Sequence, residues 1–170
     1  MDARGACHVN ETPPIIDSPA GFSAAVRWGF EHAIGRAARR IVAVDPDFAD
    51  WPLGDAALLE RLGAWMRLPQ RQLVLLAADW NSAPRRHPRL AAWRRTWDHA
   101  LSIWQQPDEP DLELPTLLLD DGPLLLRLAS RDPWRGRVEL DPRAARLQRD
   151  EIDAVLQRSS PGWPATQLGL

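Results

Sequence analysis

Arg40-Ile41-Val42-Ala43-Val44-Asp45 is the stretch on which the fold turns. Ile41 to Val44 are apolar without alternation, which fits a strand buried on both faces rather than one with a wet side. A carboxylate closes the run. Gln72-Leu73-Val74-Leu75-Leu76-Ala77-Ala78 repeats the pattern and again ends on a carboxylate, Asp79. Strands of this kind belong to largely parallel sheets covered by helices.

The flanking segments supply those helices. Ser18-Pro19 is an N-cap followed by proline at the first helical position. Phe22, Val26, Phe30, Ala33, Ile34 and Ala37 then recur at helical spacing. Residues 55–67 read as a second helix with Leu58, Leu59, Leu62 and Trp65 or Met66 inward, broken by Pro69. Residues 87–99 read as a third, with Leu90, Trp93 and Trp97 on one stripe. Ser102-Ile103-Trp104-Gln105 is a third strand. Leu114 to Leu119 and Leu124 to Ala129 flank Asp120-Asp121-Gly122-Pro123, the signature of a β-hairpin. Residues 136–140 are a short strand or extended loop, and Asp141-Pro142 opens a last helix reaching about Arg158. This order predicts an α/β fold: a mixed, mostly parallel sheet with helices on both faces and a C-terminal β-hairpin. The predicted boundaries are a flexible N-terminal arm over 1–17, one α/β domain over 18–160 and a C-terminal tail over 161–170.

The 170 residues suffice to bury a core without staples. A net charge of −2 argues against a dedicated nucleic-acid binder but leaves room for a local basic patch. Cys7 is the only cysteine, which rules out an intrachain disulfide and fits a reducing compartment. No run has the length of a membrane helix, and Met1 to Pro14 has no apolar signal core. A cytoplasmic protein without a membrane partner is expected. Every basic residue is arginine and none is lysine, the bias of a GC-rich bacterial genome. Of the nine tryptophans, most fit core or helix packing, and a minority fit a pocket or subunit interface.

Four further stretches matter beside the two strands. They are Ala37-Ala38-Arg39-Arg40 before the first strand, Asp45-Pro46-Asp47 after it, His87-Pro88-Arg89-Leu90, and Leu117-Leu118-Leu119-Asp120-Asp121-Gly122. With the closing Asp141-Pro142-Arg143-Ala144, the layout from Phe22 to Ser160 resembles one half of the phospholipase D-like fold. More closely, it resembles a degenerate phospholipase D-like bacterial domain of unknown function, often found C-terminal to an N-acetyltransferase domain. Active members of the superfamily carry H-x-K-x4-D on the strand before the hairpin. The resemblance assigns the His as the nucleophile on phosphorus and the Lys as the group neutralising the phosphate. Placing the motif's Asp on Asp121 puts its His at Leu114 and its Lys at Thr116; placing it on Asp120 gives Glu113 and Pro115. Neither register holds the pair, so the catalytic residues do not carry over. The resemblance implies a non-catalytic binding or regulatory module. Because full sites of this kind are built from two halves, it also implies a homodimer.

Asp45, Asp79 and Asp120 end strands, and ligands of open α/β sheets bind beyond the carboxyl ends of strands. Together they could hold a divalent cation for a metal-dependent phosphodiesterase, provided they converge. They equally fit turn chemistry and helix starts. Arg85, Arg86 and Arg89, followed by Arg94 and Arg95, are the densest basic cluster, interleaved with Trp80, Trp93 and Trp97. Such a cluster suits phosphates or single-stranded nucleic acid, or a solvated helix face with the tryptophans turned inward. No metal or cofactor motif is present, and none is expected to be bound. A protein or phosphate-containing ligand fits the residues better than nucleic acid.

Overall fold

The two runs that end on carboxylates lie side by side in a computed structural model describing residues 12–164. β1 (Arg40–Asp45) and β2 (Gln72–Ala77) pair in parallel, from Arg40↔Gln72 to Asp45↔Ala77. β3 (Leu101–Gln105) continues the parallel set beside β2. On the free side of β1 come β4 (Thr116–Asp120), β5 (Leu124–Arg131) and β6 (Trp134–Leu140), each antiparallel to the strand before it in the sheet. A two-residue strand, β7 (Ser160–Pro161), pairs antiparallel with β3. The order is β6-β5-β4-β1-β2-β3-β7.

The α/β class, the mixed sheet and the hairpin agree with the sequence. The balance of directions does not. Only β1–β2 and β2–β3 are parallel, while the other four pairings are antiparallel, so the sheet is mostly antiparallel. The cause is the connection after β3. It is a non-helical loop over residues 106–115 that runs back to β1, so β4 enters from the opposite direction. Tight turns then force β5 and β6 to alternate.

Helices cover both faces. α1 (Pro19–Gly35) starts where expected, with the Ser18 hydroxyl accepting from the Gly21 amide. α2 (Ala56–Met66) is capped by Asp55 and buries Leu58, Leu59, Leu62, Trp65 and Met66. Together they cover Ile41, Ala43, Leu73 and Leu75, while α5 (Pro142–Leu156) covers Val42, Val44, Leu117 and Leu119 through Ala145 and Ile152. Alternate β1 residues therefore enter two different cores, which is why the run reads as unbroken.

Three local expectations change. The helix expected over 87–99 is only α4 (Pro88–Trp93), and a separate short helix, α3 (Ala83–Arg86), precedes it in the stretch expected to be a loop. Pro88 cannot donate a helical hydrogen bond, and His87 between the pieces is non-helical at φ −128, ψ 64. Ala37 lies past the end of α1, exposed at φ 58 in a left-handed turn. Within the stretch expected to be a loose arm, Ile16 is buried and bridges Gly136 of β6. The packing is close, because a Cβ on Gly136 would lie 3.0 Å from Ile16 Cγ2. The rest of that arm, 1–11, and residues 165–170 of the tail lie outside the described residues. Among the described residues, no helix is long and apolar enough to cross a membrane.

Candidate functional site

Asp45 closes β1 with a fully buried side chain. Its Oδ1 accepts from the amides of Asp47 (3.0 Å) and Phe48 (2.8 Å), the Asx-type turn that Asp45-Pro46-Asp47 suggested. Its Oδ2 accepts from Thr116 Oγ1 (2.7 Å), Trp51 Nε1 (3.0 Å) and Arg131 Nη2 (2.8 Å). Those three residues come from the start of β4, the loop after β1 and the end of β5. A buried carboxylate must be hydrogen-bonded or paired, and here five donors meet that requirement.

The loop over 46–54 is locked from its other side as well. Phe48 sits at φ 56, uncommon for a non-glycine residue and unfavourable for a bulky one. Its amide is held by Asp45, and its carbonyl accepts from His87 Nε2 at 2.8 Å, so that nitrogen carries the proton. Its ring stacks on Trp80 (centroids 5.2 Å apart) and meets Trp51 edge-on (5.0 Å). His87 is thus a buried structural group.

Beside Asp45 a cleft of about 700 Å³ opens between the start of β4, the second half of β5 and the start of β6. Its lining includes Leu114, Thr116, Arg127, Arg131, Arg135 and Arg137, and among the described residues Glu113 is the only carboxylate in it. Arg131 reaches back to donate to Asp45 through Nη2 and to Asp50 through Nε, both at 2.8 Å. Burial works to lower its pKa, but hydrogen bonds and charge from Asp50 and Asp45 together outweigh it and hold the guanidinium above the usual arginine range. Arg137 pairs with Glu139 (2.9 Å). Arg127 and Arg135 have no carboxylate partner among the described residues; Arg127 reaches only the neutral Gln148 oxygen at 3.5 Å. Arg127 and Arg137 also face each other directly in the β5–β6 ladder. Like charges in that relation repel, and an anion between them relieves the repulsion.

The residues singled out in the sequence separate. Asp45 adjoins the cleft. Asp79 is exposed, and its carboxylate accepts from the Asn81 amide at 2.9 Å, plain turn chemistry. Asp120 ends a strand antiparallel to β1 and is level with Ile41, about 13 Å along the strand from Asp45. Its Oδ1 accepts from the amides of Gly122 and Leu124. The three carboxylates therefore do not converge, and the metal-dependent phosphodiesterase built on them fails for the reason that makes β4 antiparallel. Among the described residues, no group of three or more His, Cys, Asp or Glu side chains is placed to hold a metal ion. Arg85, Arg86 and Arg89 are exposed on α3 and α4, with Arg89 donating to the Gly54 carbonyl at 3.1 Å. Trp80 and Trp97 are buried, as expected for tryptophans turned inward, and Trp93 is partly buried.

Sequence reasoning missed the cleft arginines. Their one signal was the spacing of two between Arg135 and Arg137, which on a strand places side chains on the same face.

No protein-family model matches the chain, and no characterised relative matches it by sequence. Its fold does match solved structures. Nuc, a phospholipase D family member from Salmonella typhimurium, superposes with a TM-score of 0.55 at 9% identity, over 84% of this chain and 93% of Nuc. TrmBL2, an archaeal chromatin protein described with a novel mode of DNA binding, gives 0.53 at 12% identity, over 80% of this chain. The chain spans about half of TrmBL2, 51% of its length. The fold is phospholipase D-like.

Proposed function

We propose that this phospholipase D-like fold is a degenerate, non-catalytic binding module, and that the arginine-lined cleft beside Asp45 takes an anionic, phosphate-bearing ligand. The observation that carries the reading is that four arginines, Arg127, Arg131, Arg135 and Arg137, line one cleft together with Leu114 and Thr116, the residues that fall at the superfamily's His and Lys positions when the motif's Asp is set on Asp121. Guanidinium forks suit phosphate oxygens, and neither Arg127 nor Arg135 has a carboxylate partner among the described residues. Among the described residues that line the cleft there is no histidine or lysine. Leu114 has no reactive group. Thr116 donates its hydroxyl proton to an Asp45 oxygen that already accepts from Trp51 and Arg131, so that oxygen is poorly placed to act as a base. A homodimer, as implied by the half-unit resemblance, belongs to the same reading; a monomer in light scattering at micromolar concentration counts against that part alone.

Calorimetric titration with inorganic pyrophosphate, alongside a turnover assay with a chromogenic phosphodiester, tests the reading. Expected are saturable binding that Arg127→Ala/Arg135→Ala removes, and no turnover. Hydrolysis that depends on these arginines would sink the non-catalytic part, and absence of pyrophosphate binding would sink the cleft.

A second reading, nucleic-acid or phosphate binding through α3 and α4, is favoured by Arg85 and Arg86, which are exposed without an ion pair among the described residues. It predicts salt-sensitive binding of single-stranded DNA, weakened by Arg85→Ala/Arg86→Ala.

A further inference from the structure

We propose that Asp50 is an internal competitor for the anion the cleft takes. Its carboxylate occupies the arginine edge that a ligand would use, and the ligand enters by displacing it. This rests on the anion reading of the cleft. A guanidinium presents its Nε and Nη2 hydrogens along one edge, which suits two oxygens of a single carboxylate or phosphate. In Arg131 that edge is split between two residues. Nη2 is held by Asp45, whose side chain is 0% exposed, and Nε by Asp50, which is 37% exposed. Nη1 leans toward Thr116 Oγ1 at 3.4 Å.

The two contacts differ in what it takes to break them. Separating Arg131 from Asp45 would leave a buried carboxylate without its cation, which is costly. Separating it from Asp50 releases two half-exposed groups into water, where such pairs contribute little. An incoming phosphate is thus expected to leave the Asp45 contact in place, turn the guanidinium about it and take over the Nε hydrogen. Freed Asp50 then faces solvent, while the 46–54 loop keeps its shape through Phe48 and Trp51, both buried and tied to Asp45. Affinity is set by a competition inside the protein: ligands with more charge than a carboxylate win it, and weakly charged anions do not.

Titration of the full chain with inorganic pyrophosphate compares the wild type with Asp50→Ala, Arg131→Lys and the two combined. Asp50→Ala is expected to tighten binding about threefold to tenfold. The gain disappears in the Arg131→Lys background, because lysine keeps a cation against Asp45 but has no two-hydrogen edge. It persists in an Arg135→Ala background, because that residue has no contact with Asp50. Thermal unfolding of each variant confirms that it is folded. Unchanged or weaker binding by Asp50→Ala overturns the competitor while leaving the cleft standing, as does an equal gain in the Arg131→Lys background. No pyrophosphate binding by any variant, wild type included, overturns the cleft and the competitor with it.

Discussion

A buried aspartate lies at each end of β1, its own Asp45 at one and Asp120 of the neighbouring β4 at the other, and the two are used in opposite ways. At the carboxyl end Asp45 gathers Trp51, Thr116 and Arg131, side chains from three separate segments, beside a cleft of about 700 Å³. At the other end Asp120 of β4 bonds only the amides of its own turn, Gly122 and Leu124. That turn is closed from above by Arg149 of α5, which donates to the carbonyls of Asp120 and Gly122. The hollow there is about 210 Å³, and its two arginines, Arg36 and Arg39, sit among Asp120 and Asp121. Burial alone thus does not mark a site. A carboxylate that reaches across the sequence organises distant elements, while one that reaches two and four residues onward only shapes a turn.

The sharpest way to break this contrast is substitution at the two aspartates. Asp45→Asn places an amide NH2 among donors and takes the buried counter-charge from Arg131, at a cost of about 3 kcal/mol in urea unfolding. Asp120→Ala loses two hydrogen bonds to its own turn and should cost about 1–2 kcal/mol. Equal losses would erase the distinction.

Next in size is a difference in binding. Arg135→Ala at the Asp45 end is expected to weaken pyrophosphate about tenfold, as for loss of one charge-assisted contact. Arg36→Ala/Arg39→Ala at the other end should leave the titration unchanged. Comparable losses at both ends would show that only the general field of the protein attracts the anion.

The smallest effect is one of pH. His32 on α1 stacks on Trp28 at 4.9 Å, and burial, then the Arg36 charge, push its pKa below the ordinary imidazole range against an upward pull from Asp120. A lowered folded pKa means that protonation favours the unfolded chain. The His32 contribution is therefore complete above about pH 6.5 and lost as pH falls below that toward the folded value. His32→Gln should flatten the dependence of stability on pH in this window. An unaltered slope would show that His32 is not its source.

Much of this architecture is legible in the chain. Ile41 to Val44 serve two cores at once, so the run is apolar throughout, and Ser18, Asp55 and Asp141 declare helix starts through short-range chemistry. Asp120-Asp121-Gly122 likewise announces its turn. What escapes is long-range. Nothing local to Ser130-Arg131-Asp132 says that Arg131 will find a partner at Asp45. The strand holding Arg131 runs past Ala129, where the apolar signal stops, because pairing with β6 carries it on to Arg131↔Trp134. In the densest arginine cluster of the sequence, Arg85, Arg86 and Arg89 are exposed on short helices while Arg94 is buried, whereas the cleft arginines are scattered along a hairpin and line one cleft only when it folds.

One feature of β6 has a use unrelated to ligands. It forms an outer rim of the sheet, and on its free side the described residues offer its backbone a single bridge, Ile16 to Gly136. An unpaired strand edge invites stacking by other chains unless charge discourages it. Arg135, Arg137 and Glu139 stand along that rim as gatekeepers, so the hairpin that supplies cations to the cleft also guards against fibrous self-association.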